Sequence, residues 1–101
     1  MKFRVNYRIT DQDKYLPVLK KWISLSPQER ASDAGDGVKM IGRWHDLAGK
    51  NGTVICESND LAAVHRWIGK WNPYMECDIT PVVDDEESAA VSRHIVADNN
   101  A

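Results

Sequence analysis

From Lys2 to Thr10 apolar and polar residues alternate, with Phe3, Val5, Tyr7 and Ile9 on one side of an extended chain and Lys2, Arg4, Asn6 and Arg8 on the other. The pattern predicts a strand whose apolar set meets helices and whose polar set meets water, a ligand or a partner subunit. A helical spacing follows. Thr10, Asp11 and Asp13 are N-cap candidates. Pro17 belongs in a first turn, which sets the helix start near Lys14 to Leu16. Tyr15, Leu19, Trp22 and Ile23 form its apolar stripe. Ser26-Pro27-Gln28-Glu29 has the form of a capping box and predicts a second, short helical turn to about Ala31. Ser32 to Gly37 is a loop.

Val38 to Ser58 has the pattern of two strands and a turn. Strict alternation puts Val38, Met40, Gly42, Trp44 and Asp46 on one face of the first strand and Lys39, Ile41, Arg43, His45 and Leu47 on the other. On the second, Val54, Cys56 and Ser58 oppose Thr53, Ile55 and Glu57. The connection is a tight Asn51-Gly52 turn or a longer loop containing Gly49. Neither face is wholly polar, so both should be covered. Ser58-Asn59-Asp60 then caps a helix with Leu61, Val64, Ile68 and Trp71 on its stripe, His65 and Trp67 on its flanks, and Asn72-Pro73 as its stop. Tyr74 to Val83 is a last strand, at or near a sheet edge because Pro81 cannot donate to a ladder. Asp84-Asp85-Glu86-Glu87 caps a short helix in the tail, with Val91 and Ile95 on one side.

The order β-α-β-β-α-β is the ferredoxin-like α+β arrangement, with an antiparallel four-stranded sheet in the order 4-1-3-2. The domain is expected over residues 1–86 and the tail over 87–101. Helices cover one face. The other carries Arg4, Asn6, Arg8, Glu76, Asp78 and Thr80, with arginines opposite acids as cross-strand pairs. Ile41, Ile55 and Val82 on that face need a cover, and packing against the sheet of a second copy supplies one.

Composition narrows the functions. Thirteen basic and fifteen acidic residues are mixed along 101 residues, for a net charge of -2, so there is no basic stripe for nucleic acid. No apolar run is long enough for a membrane span, and no signal-peptide pattern precedes the first strand. Cys56 and Cys77 fall inside strands as small apolar residues, which fits a reducing cytoplasm. Two cysteines and three scattered histidines give no metal-ligand spacing. No metal and no cofactor are expected.

The run Gly42-Arg43-Trp44-His45-Asp46, the later Trp71, and Thr80-Pro81-Val82-Val83-Asp84-Asp85-Glu86 resemble a family of small bacterial proteins known only as a domain of unknown function. That family is similar to the dimeric α/β-barrel superfamily, and the likeness covers about Met1 to Glu86. The resemblance implies a homodimer whose two sheets face each other around a cavity. It implies no catalytic residues. The wider superfamily includes cofactor-free monooxygenases, haem-handling enzymes, lactone isomerases and ligand-binding regulatory domains, and fold alone does not choose among them.

Each candidate residue has a functional and a structural reading. His45, expected on the inward sheet face between an arginine and an acid, is a general base or anion binder, or a rim histidine satisfied by Asp46 or a carbonyl. Arg43 clamps a carboxylate, or pairs with Glu57 or Glu76. Glu57 is a proton acceptor in a dry cavity, or an ion-pair partner. Asn6 is the pocket candidate and Tyr7, on the opposite face, a core residue. Trp44, Trp67 and Trp71 stack on a ligand or, the preferred reading, pack. His65 is a haem ligand, as the superfamily resemblance would allow, or, the preferred reading, a satisfied semi-buried histidine. Asp84 to Glu87 binds a metal or, lacking calcium-ligand spacing, is a solvated run.

Two functions follow. One is a small-molecule-binding or enzymatic barrel taking a small organic or anionic ligand, with Arg4, Asn6, Arg8, Arg43, His45, Glu57, Glu76 and Asp78 around a polar pocket between facing sheets. The other is a non-catalytic homodimeric interaction protein in which those charges are all paired and no void remains. Cofactor-free oxygenation needs an apolar pocket beside a polar one, and the polar inner face argues against it.

Overall fold

In the computed structural model, which describes residues 1–100, β1 (Lys2–Arg8) is paired on both sides. Its apolar side packs as the alternation requires, with Phe3, Val5 and Ile9 buried. Next come α1 (Gln12–Ser24) and α2 (Pro27–Ala31), then β2 (Lys39–Asp46), β3 (Asn51–Glu57), α3 (Leu61–Gly69), β4 (Glu76–Val82) and α4 (Asp85–Asp98). The sheet is antiparallel in the order β2-β3-β1-β4, the ferredoxin-like order. β4 is an edge strand, which gives Pro81 its place. One face carries the core, where Val5, Val54 and Cys56 meet Val64, Trp67, Ile68 and Trp71 of the α3 region. The other face is bare.

The capping sequences do their expected work. Ser26 and Glu29 form a reciprocal capping box on α2, and Asp84 and Glu87 form another on α4. Two helix expectations need correction. α1 starts at Gln12, behind an Asp11 cap, so Pro17 lies inside its second turn. The bond it cannot make is the one to the Asp13 carbonyl, and Asp13 is exposed, so water can take that role. On α3 the buried stripe is Ala63, Val64, Trp67 and Ile68, while Leu61 stays exposed at the first turn and His65 faces out.

The largest departure is in β2. Met40 stands opposite Cys56 and Gly42 opposite Ile55, so Ile41 is an extra residue, a β-bulge. The bulge reverses the alternation beyond it. Arg43 pairs with Val54 and His45 with Gly52, on the helix-covered side; Gly42 and Trp44 go to the bare side. Strict alternation had placed Arg43 and His45 on the bare face with Arg4, Asn6 and Arg8. They are on the other one.

The hairpin uses the longer loop. Leu47 to Lys50 connect the strands, Lys50 takes the left-handed conformation with φ 58°, and the Asp46 carboxylate accepts from the Gly49 amide at 2.8 Å. Asn51 and Gly52 belong to β3.

Beyond the sheet, α4 is longer than the short helix expected, and none of its residues is buried. The described chain measures 54 × 28 × 20 Å, much longer than wide.

Candidate functional site

A cavity of about 660 Å³ lies between the sheet and its helical cover. Val5, Val54 and Cys77 of the sheet form part of its floor, Val18, Leu19 and Trp22 of α1 its roof, and Trp67, Ile68 and Trp71 its far wall. Two contacts hold the hairpin loop to α1 at one end. The Tyr15 hydroxyl donates to the Leu47 carbonyl at 3.0 Å, and the Lys50 ammonium donates to Gln12 Oε1 at 2.6 Å. Ile23, 75% exposed, stands at the rim. The volume suits a small organic molecule, and so does a mostly apolar lining with few polar groups.

The polar groups are held together by Gly52. Tyr7 on β1 and His45 on β2 both stand opposite this residue of β3, which lies between their strands. Strands two apart in a sheet are about 9.5 Å apart, and an intervening side chain would separate the rings. Gly52 has none. The Tyr7 hydroxyl and His45 Nδ1 meet at 2.7 Å. A Cβ built on Gly52 would lie 2.3 Å from a Tyr7 ring carbon and 2.6 Å from the Trp44 carbonyl oxygen.

His45 is exposed overall, yet partial burial of its ring chiefly, and then the Arg43 charge, lower its pKa below its ordinary 6.5. Burial raises that of Tyr7; Arg43 opposes the rise and Asp46 adds to it. At neutral pH the pair is a neutral imidazole and a neutral phenol. With the imidazole proton on Nε2, Tyr7 donates to Nδ1; with it on Nδ1, the imidazole donates to Tyr7 and frees the hydroxyl proton. The pair thus keeps a donor and an acceptor in either arrangement and can pass a proton.

Trp22 ties this pair to a second polar cluster. Its ring centre lies 5.4 Å from that of His45, and the Arg43 guanidinium sits 4.6 Å from the Trp22 ring centre. Arg43 Nη2 donates to the Arg30 carbonyl at 2.9 Å. Below it is Asp33, whose side chain is 11% exposed. The Asp33 carboxylate accepts from Trp67 Nε1 at 2.9 Å and from Trp71 Nε1 at 3.0 Å. Those hydrogen bonds satisfy the two indoles as their burial requires.

The family model of a domain of unknown function, DUF3303, matches residues 1–96. The chain belongs to the DUF3303 family. The match extends past Glu86 through most of α4. No curated protein matches this DUF3303 chain. A solved structure from Deinococcus radiodurans, described as "a putative antibiotic biosynthesis monooxygenase", is similar at 10% identity and a TM-score of 0.46, over 83% of this chain and 94% of that one. A likeness of that size carries nothing about chemistry to this DUF3303 member.

The sequence candidates divide between the two faces. His45 and Arg43 line the cavity. Arg4, Asn6, Arg8, Glu57, Glu76 and Asp78 lie on the bare side of the sheet. There Arg8 bridges Glu76 at 3.0 Å and Asp78 at 2.7 Å, and Thr53 donates to Asn6 Oδ1 at 2.9 Å. Glu57 faces Lys2 and Lys39 in register and borders a shallow second groove with Gly35 to Lys39. Arg4 has no ion-pair partner among the described residues.

Tyr7 and Asp33 were missed as site residues. Tyr7 alternates as a core residue should, and nothing in β1 signals a hydroxyl partner 38 residues away. Asp33 sits in a loop whose partners lie 34 and 38 residues on. Cys77 lines the cavity as a protonated thiol, pushed up to about 11 by burial and by Asp78 against the opposing Arg8, so it is no ready nucleophile. Among the described residues no cluster of His, Cys, Asp or Glu could hold a metal, and no helix is long and apolar enough to cross a membrane.

Proposed function

We propose that this protein binds a small, largely apolar organic molecule in the cavity beneath α1, with the Tyr7–His45 pair as its hydrogen-bonding anchor. The observation that carries this reading is the placement of that pair, at 2.7 Å, on an otherwise mostly apolar cavity of about 660 Å³. Such a lining favours an apolar body, and one donor–acceptor pair fixes its orientation. The chemistry within reach is proton transfer. The His45 imidazole takes or returns a proton, the Tyr7 hydroxyl relays it, and the low pKa of His45 keeps it a free base at neutral pH.

The bare sheet face is the surface for a second copy. Its charges are largely paired already, through Arg8 with Glu76 and Asp78. Its apolar residues are not covered: Trp44 is 63% exposed and lies against Gly42, and Ile41 is half exposed. Arg4, Asn6, Arg8, Glu76 and Asp78 then belong to the dimer, and Glu57 to its border. The ligand site stays within each protomer.

Trp22, Trp67 and Trp71 border the cavity, so a bound molecule should alter their emission. Titration with neutral 3-phenylpropanamide should give a saturable change in tryptophan fluorescence, weakened by Leu19→Phe, which narrows the roof. No saturable change in the parent protein with this amide or with the matching acid, 3-phenylpropanoate, or one that Leu19→Phe leaves intact, would refute the reading.

A further inference from the structure

The Arg43 end of the cavity is short of negative charge. Arg43 is 15% exposed, and its nearest carboxylate atom, Asp33 Oδ2, is 3.9 Å away, beyond hydrogen-bond distance. That oxygen is already engaged by both indoles. Asp33 is also shared with Lys70, whose ammonium lies 4.0 Å from Oδ1 and donates to the Asp33 carbonyl. The Arg30 guanidinium reaches the same Trp22 ring, 5.8 Å from its centre. Arg43 thus has the Arg30 charge acting on it, while its one nearby carboxylate is shared with Lys70. Arg43 has five N–H donors, and the one side-chain hydrogen bond it makes among the described residues is to the Arg30 carbonyl. Trp22 covers a face of the guanidinium, so the free donors lie along its edge.

We infer that the molecule held in this cavity is a monocarboxylate with an apolar or aromatic body, its carboxylate seated on Arg43. This deepens the cavity reading and rests on it. A planar guanidinium matches a carboxylate through two parallel hydrogen bonds. In a half-buried site the attraction is screened far less than in water. The body of the acid lies against Val54, Leu19 and Ile68, all of which line the same cavity. Asp33, held by two tryptophans, offsets only part of the charge around Arg43.

The test is calorimetric titration of the full chain at neutral pH with 3-phenylpropanoate and with its neutral amide, 3-phenylpropanamide. The two share a body and differ at the group that Arg43 would meet. The acid should bind about tenfold or more tightly than the amide, and Arg43→Gln should weaken the acid about ten- to a hundredfold while leaving the amide within about twofold. Equal binding of acid and amide to the parent protein overturns the inference and leaves the cavity reading standing. Binding of neither at millimolar concentration overturns both. If Arg43→Gln fails to fold, because Arg43 also ties down the Arg30 carbonyl, the acid-to-amide ratio in the parent protein decides alone.

Discussion

Tyr7 and His45 share a 2.7 Å contact across a strand that separates them, and Gly52 is the reason they can. Both residues stand opposite that glycine, and its missing side chain is the gap through which hydroxyl and imidazole meet. Gly52→Ala should therefore do more than crowd a strand. The new Cβ meets the Tyr7 ring on one side and backbone on the other, so little can move aside. We expect a loss of about 1–3 kcal/mol by denaturant unfolding, together with loss of ligand-induced fluorescence. Unchanged stability would mean that the gap is not filled as described.

The hydroxyl can be removed without crowding. Tyr7→Phe keeps the ring and deletes the hydrogen bond, and it should cost about 1 kcal/mol. Its larger effect should be on ligand affinity, since it strips the anchor of its relay. Equal losses of affinity in Tyr7→Phe and in the distant surface variant Leu61→Ala would sink that role.

His45 gives a signed pH dependence. The folded state holds its pKa below the unfolded 6.5, through burial and the Arg43 charge, while the faces around it present Tyr7, Trp22 and Arg43. The unfolded chain therefore binds the proton more readily. Stability from this group is present above 6.5 and is lost as pH falls through the lower, folded value. Melting temperature should drop on acidification below 6.5 more steeply in the parent protein than in His45→Gln. Glu29 and Asp84, whose pKa values are also lowered, contribute the same sign at lower pH in both proteins, so the difference isolates His45.

Asp33 supports the tryptophan wall. Asp33→Ala leaves two buried indole N–H groups without acceptors, and a cost of about 2–4 kcal/mol is expected. Asp33→Asn keeps one carbonyl oxygen and should lose less. Denaturant unfolding of the two variants checks the order, and an alanine variant as stable as the parent protein would contradict it.

The bare face predicts association. Sedimentation at micromolar concentration should show a dimer, and Trp44→Asp should yield a folded monomer. A parent protein that sediments as a monomer would remove the second copy from the proposal and leave Trp44 and Ile41 exposed to solvent.

Much of this architecture is written in local pattern. The alternation in β1, the Ser26–Glu29 and Asp84–Glu87 caps, and the edge position implied by Pro81 all depend on residues close in sequence, and the order of elements points to the ferredoxin-like sheet. The site was harder to read because it depends on a bulge. Nothing around Ile41 marks it as the extra residue, since a bulge exists only relative to the partner strand. One skipped pairing moved Arg43 and His45 to the other face. The same non-local dependence hid Asp33 and gave Gly52 a role that a turn motif does not suggest. His45 and Arg43 were legible as chemically apt residues; their company was not.

A ligand held beneath α1 by Tyr7 and His45 is what the other proposed roles depend on. The most direct measurement is the assigned amide and side-chain NMR spectrum recorded during titration with 3-phenylpropanamide and then with 3-phenylpropanoate. Saturable shifts should concentrate at Tyr7, Trp22, His45 and Val54, with Arg4, Asn6 and Asp78 on the opposite face undisturbed. Shifts confined to the bare face, or none at any concentration, would contradict it.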